Sequence, residues 1–489
     1  MTSDSTSAQA RSTVETGVPG LDAILGGGFV SGGLYLIEGM AGAGKTILSS
    51  QVGFHRVKQG ERVLYMTLIA ESHDKLLGHL SGMRFFDETA VAQHMLFVSG
   101  YHELMQDGLD GFLRLIASSL HQHRPKLLII DGFRSAREFS ETELALSRFI
   151  HELNALVAAM NCTTLLLAPL SGNEPHPEHT LVDGLIELNR HSDGMRRSRE
   201  IEVHKMRARD HMLGKHFFRI TDNGHVMFPR LEATSTMRPG VADFATRLAF
   251  GIPSFDALLD GGVVKGSTTT LMGPSGIGKT MLALQFLAAG LARGETCIYV
   301  GFHESPQRLL AKAEAVSMPI TQAAEEGRLI VQWQPAIELA IDELAAIALD
   351  TVKRSGATRL VLDGIEGFHD SAMRPERSRL FLNAFTNRLR DADVTTLLTE
   401  ELPLYADPAP SHGVRLSALT ENLVLLRYAE TDTRLRRMIA VLKQRESSHD
   451  PSLRELLISS QGLDVTASFD GAAGLLSGRM TLPLMGRTG

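Results

Sequence analysis

The sequence predicts an α/β protein made of two tandem domains, each with a mostly parallel central sheet flanked by helices. Three observations carry that prediction. The string G-x-x-x-x-G-K-T occurs twice, from Gly39 to Thr46 and from Gly273 to Thr280, with the lysines 234 residues apart (279 − 45). Other strings repeat at nearly the same offset. Gly17-Val-Pro-Gly-Leu-Asp22 matches Gly251-Ile-Pro-Ser-Phe-Asp256, Lys126-Leu-Leu-Ile-Ile-Asp131 matches Arg359-Leu-Val-Leu-Asp363, and His204-Lys-Met-Arg207 matches Leu442-Lys-Gln-Arg445. A fixed offset with small drift marks a duplication. Third, short apolar runs alternate with amphipathic stretches such as 107–117 and 337–345, the pattern of strands joined by crossover helices.

The 489 residues suit two large domains. At 43% hydrophobic and 21% charged, the composition is that of a globular protein. The expected organisation is a disordered N-terminus over 1–12, a first domain over 13–232 and a linker over 233–246. A second domain follows over 247–464, and a flexible tail over 465–489. The first ten residues are polar and lack the apolar stretch of a signal peptide. No apolar run is long enough to span a bilayer. Cys162 and Cys297, one per half, read as core thiols. Together these place the chain in the cytoplasm, away from membranes. The formal charge of −7 argues against nucleic acid as a partner, because nucleic-acid-binding domains carry a basic balance or stripe.

Each repeated string needs a strand before it and a helix after it to work as a phosphate-binding loop. Leu34-Tyr-Leu-Ile-Glu38 and Thr268-Thr-Thr-Leu-Met272 read as the strands, and 46–51 and 280–286 as the helices. The glycines let backbone N–H groups curl around a phosphate chain, and the helix adds the positive end of its dipole. The lysine reaches the β- and γ-phosphates and the threonine hydroxyl binds Mg²⁺. The candidate ATP-binding residues are therefore Gly39, Ala41, Gly42, Ala43, Gly44, Lys45 and Thr46 in the first half. In the second they are Gly273, Ser275, Gly276, Ile277, Gly278, Lys279 and Thr280.

Hydrolysis also needs a metal partner and a group that positions water. Asp131 and Asp363 each end an apolar strand, where a carboxylate can face the metal shell alongside Thr46 or Thr280. Glu71 and Glu304 follow the next strand in each half and are candidates to orient or deprotonate the attacking water. Lys205, Arg207 and His211, matched by Lys443, Arg445 and His449, read either as a solvated strand edge or as a cationic finger for a neighbouring subunit's γ-phosphate.

Taken together, these residues resemble the KaiC family, circadian-clock ATPases of the RecA/DnaB-like superfamily, over about Thr16 to Arg479. The strings that carry the resemblance are long: 16–22, 205–215 and 220–224 in the first half, and 442–450 and 457–464 in the second. It implies two tandem RecA-like P-loop NTPase domains and a double-ring homohexamer with ATP and Mg²⁺ at subunit interfaces. It also implies that Lys205, Arg207, His211, Lys443, Arg445 and His449 touch ATP held by the adjacent protomer. In that family the first half is mainly an ATPase and the second autophosphorylates. A KaiB-like or other signalling protein is the implied partner, and signalling or timing the implied role.

The sequence departs from the family at named places. Clock members carry two adjacent glutamates at the catalytic position; here the first is replaced by Ala70 and by His303. The phosphorylated Ser-Thr pair aligns with Ser417-Ala418, which keeps Ser417 as the candidate phosphosite. The tail after Ser477-Gly478 is short. These departures favour hydrolysis over phosphotransfer. The competing classes are a DNA-processing motor of the recombinase or helicase kind and a nucleotide-gated scaffold.

Overall fold

The computed structural model describes residues 12–68, 73–170, 176–193, 196–234, 243–334, 340–371, 374–404, 420–431 and 434–466. The chain divides into two compact units between Thr234 and Ser235. Among the described residues each unit is built on one nine-stranded sheet, with a two-stranded ribbon beside it.

In the first unit the strand Leu34–Gly39 lies at the centre. On one side follow, in spatial order, Thr163–Pro169, Leu127–Asp131, Val63–Thr67 and Met95–Ser99, all parallel. On the other side the parallel strand Gly184–Asp193 leads into an antiparallel extension, Arg196–Met206, Lys215–Thr221 and Gly224–Phe228. The apolar runs explain the central placement. Every residue of Leu34–Gly39 and of Val63–Thr67 is buried, as a parallel strand covered by helices on both faces requires. The helix Lys45–Lys58 closes one face; Tyr101–His123 and Glu143–Ala159 close the other with a separate apolar core. The amphipathic stretch 107–117 falls within Tyr101–His123, where Gly108 leaves helical geometry at φ 62°, ψ −152°.

The second unit repeats this plan. Thr268–Gly273 is central, flanked by Thr395–Glu401, Arg359–Asp363, Cys297–Gly301 and Leu329–Trp333 on the parallel side. Asn422–Thr431, Arg434–Gln444, Arg454–Ser459 and Gly462–Val465 lie on the other. The helix Lys279–Leu291 packs into its core. The helix expected near 337–345 runs over Ile341–Ser355, and 335–339 lie outside the described residues. One core position differs in kind. Where the first half has Leu127, the second has a fully buried Arg359, held by Glu295, by two backbone carbonyls and against the Phe286 ring.

Parallel pairing sets the site. Because Gly39 lies opposite Pro169 and Thr67 opposite Asp131, the ends of these strands share one carboxyl edge. Gly273 opposite Glu401 and Gly301 opposite Asp363 do the same in the second half. Ligands of open α/β sheets bind at that edge. Both cysteines are buried. Of the linker expected at 233–246, Ala233 closes a 3₁₀ turn and 235–242 lie outside the described residues. Val465, placed by composition at the start of the tail, is buried and pairs with Leu456; 467–489 lie outside the described residues. No helix among the described residues is long and apolar enough to cross a membrane.

Candidate functional site

Each G-x-x-x-x-G-K-T string forms the turn from the central strand into the following helix. Gly42 and Gly44 have φ of +71° and +101°, and Gly276 and Gly278 have +74° and +115°. These left-handed values exclude most side chains. The helices start at Lys45 and Lys279 with no side chain capping their first turn, which leaves N–H groups and the dipole directed at the loop. Lys45 Nζ donates to the carbonyls of Gly39 (2.6 Å) and Met40 (3.2 Å); Lys279 Nζ donates to those of Gly273 (2.7 Å) and Pro274 (2.9 Å). Burial lowers the pKa of both lysines. The carboxylates of Asp131 and Glu38 oppose this at Lys45, and those of Glu401, Glu366 and Asp363 oppose it at Lys279.

Beside each loop sits the same three-residue arrangement. Thr46 Oγ1 donates to Asp131 Oδ2 at 2.9 Å, and Tyr65 OH donates to the same oxygen at 2.8 Å. In the second half Thr280 Oγ1 and Tyr299 OH reach Asp363 Oδ2 at 2.8 and 2.5 Å. Burial, then the aspartate's charge, pushes both tyrosine pKa values well up, so each phenol stays a donor. The second half adds a further donor: Thr399 Oγ1 reaches Asp363 Oδ1 at 2.6 Å while accepting the N–H of Gly364. The first half has Leu167 in that register position.

The walls around this shared centre differ. In the second half a cavity of about 620 Å³ is lined by loop residues together with His303, Glu304, Lys312, Asp363, Glu366 and Glu401. Glu304 pairs with Lys312 of the helix Pro306–Glu314. Glu366 opens the helix Glu366–Ser371 and accepts the N–H of Glu401. Glu400 has its pKa pushed up to about 7 by burial and by the Glu366 carboxylate. The matching first-half residues are Arg134, Ala168 and Pro169, and Arg134 pairs with Glu138. The first-half loop is instead gripped by polar groups. Arg190 donates to the carbonyl of Gly42, and buried His225 bonds that of Gly44 at 3.0 Å. Burial pushes the His225 pKa down to about 4. In the second half Ile458 lies against Gly278 as Ile220 does against Gly44, and Leu463 takes the register position of His225.

Comparison with known proteins identifies the family behind this geometry. The family model described as "ATPase: KaiC" matches twice, over residues 14–232 and 248–469. The chain belongs to the KaiC family. It is similar to the "Circadian clock oscillator protein KaiC" of Parathermosynechococcus lividus, at 25% identity over 96% of this chain and 88% of that protein. The KaiC of Synechococcus elongatus is 24% identical over 97% of this chain and 92% of that protein. The "Circadian clock protein KaiC3" of a Synechocystis strain is 24% identical over 95% and 94%.

Other KaiC-like positions read from the sequence fall as follows. Lys205 is the next-to-last residue of the strand Arg196–Met206, and Arg207 follows the strand; both donate to the carbonyl of Thr180 at 2.8 Å. Two cations therefore meet on the last turn of the helix Pro177–Leu181. Burial, then the neighbouring Arg207 charge, lowers the Lys205 pKa. Lys443 likewise donates to a carbonyl, that of Thr420 at 2.6 Å, and its pKa is lowered by burial and by Arg445. His211 and His449 lie in the loops that follow these strands, with His211 Nε2 buried and unpartnered. Ala70, Glu71, Ser417 and Ala418 lie outside the described residues. Sequence reasoning missed Tyr65 and Tyr299, although both sit in the matched strands at the common offset. It also missed Thr399, Glu366, Lys312, Arg190 and His225, none of which belongs to a repeated string.

Proposed function

We propose that this KaiC-family ATPase binds and hydrolyses Mg-ATP in both halves, within a homohexamer whose neighbouring subunits complete each site. The observation that carries this reading is the hydroxyl–carboxylate pair, Thr46 with Asp131 and Thr280 with Asp363, placed beside each phosphate-binding loop. These hard oxygen donors fit Mg²⁺, which takes few protein ligands and fills its shell with water and substrate phosphate oxygens. When bound, the ion supplies positive charge against the phosphates. Lys45 and Lys279 bind the β- and γ-phosphates. Tyr65 and Tyr299 hold the aspartates in place. Glu71 and Glu304 orient the attacking water.

Lys205, Arg207 and His211, and Lys443, Arg445 and His449, act on the neighbouring copy's γ-phosphate in this reading. The support is the convergence of Lys205 and Arg207 on one helix end. Ser417 is the acceptor for phosphotransfer in the second half, and the role is signalling or timing through a KaiB-like or other protein partner.

Mass measured with and without ATP tests the assembly. Six copies with ATP and a smaller species without it are expected; a stable hexamer that needs no nucleotide contradicts the interface sites. Incubation with γ-labelled ATP and phosphopeptide mapping tests Ser417, and an unlabelled peptide removes that role.

A further inference from the structure

The second cavity holds a carboxylate that the shared machinery does not use. Glu366 follows Asp363 by three residues, at the first turn of Glu366–Ser371. One of its oxygens, Oε1, accepts the backbone N–H of Glu401, which fixes the carboxylate. The other, Oε2, lies 3.7 Å from the point where a side chain on Gly364 would begin, and His303 Nε2 lies 3.3 Å from that point. Gly364 has φ +84°, so the backbone itself favours the residue that leaves this space open. His303 and Glu366 therefore border the same space beside Gly364, in the cavity that Lys279 and Thr280 also line. Glu304 is held through Oε1 by Lys312, and its Oε2 is buried without a hydrogen-bond partner. The first half has no matching carboxylate, since Arg134 occupies the position.

We propose that Glu366 accepts the proton of the attacking water in the second half, with His303 as the positioning residue that aims its carboxylate. The proposal rests on the reading that the second half hydrolyses ATP. As the water oxygen bonds to the γ-phosphorus, its proton passes to Glu366 Oε2. The bond from the γ-phosphorus to the β,γ-bridging oxygen breaks, and ADP leaves with that electron pair. Glu304 keeps the water aligned, and Glu366 returns the proton to solvent with product release.

The test uses the full chain carrying Lys45→Ala, so that turnover reports the second half. Glu366→Gln retains an acceptor for the Glu401 N–H and removes the base. It is expected to lower kcat about a hundredfold, a usual loss for a general base, with KM for ATP within about twofold. His303→Gln is expected to lower kcat by roughly tenfold, and the double variant by no more than Glu366→Gln alone, because the two act as one unit. An unchanged kcat in Glu366→Gln, a rise in KM alone, or fully additive losses overturn the proposal. Separately, if the Lys45→Ala chain turns over no faster than the chain lacking both loop lysines, the second half does not hydrolyse ATP and the underlying reading fails first.

Discussion

The two phosphate sites share a floor and differ in their walls. Loop, lysine, threonine, aspartate and tyrosine superpose in role, residue for residue. Around them the first half places Arg190, His225, Arg134, Leu167 and Pro169, and the second places Tyr428, Leu463, Glu366, Thr399 and Glu401. Duplication preserved what a nucleotide's phosphates demand and let the remainder diverge. One site is a basic, sterically fixed loop; the other is rich in carboxylates. Coulomb forces at these short distances are strong enough for such a change to redirect chemistry.

The largest expected effect belongs to the shared part. Arg207→Ala and Arg445→Ala, each read with the other half's loop lysine replaced, should cut hydrolysis by roughly a hundredfold or more while ATP binding changes little. Equal losses sharpen the shared reading. Full activity in either variant breaks the trans role for that half.

The tyrosines come next. Removing a hydrogen bond to a carboxylate costs about 1.5–3 kcal/mol, so Tyr65→Phe should slow first-half turnover by about tenfold or more. Tyr299→Phe should cost less, because Thr399 still holds Asp363. Steady-state rates in the single-site backgrounds check this, and a larger loss at Tyr299 contradicts the assigned difference.

The smallest effect is on stability, and its sign differs between halves. His225 has a folded pKa of about 4, below its ordinary 6.5, so its contribution is full above pH 6.5 and is lost as pH falls toward 4. Glu400 has a folded pKa of about 7, above its ordinary 4.3, so its contribution is full below pH 4.3 and is lost as pH rises through 7. Hydrogen exchange read on peptides of each half should show the first half weakening in acid and the second above neutrality. His225→Leu and Glu400→Gln should flatten the respective trends. Parallel responses in the two halves contradict the assignment.

The shared floor was legible in the sequence because repetition marks it. A loop of fixed length, a lysine and a strand-ending aspartate keep their spacing whatever surrounds them. The parallel α/β sheets were legible for a similar reason, since buried strands read as continuous apolar runs such as 127–130 and 360–362. The walls were not. Thr399 reads as one more strand threonine until its register opposite Leu271 sets it beside Asp363. Glu366 reads as a solvated helix-start charge until Glu401 and Gly364 fold against it. His225 lies 181 residues from the Gly44 carbonyl it bonds, and no local pattern announces such a contact.

The central claim is that both halves are working ATP sites. ATP turnover of four full-length chains tests it most directly: the parent, Lys45→Ala, Lys279→Ala and the double variant. Each single variant should keep a substantial part of the parent rate, with the double variant at least a hundredfold below the parent. A single variant as inactive as the double would contradict it, leaving one half as a site that binds without turning over.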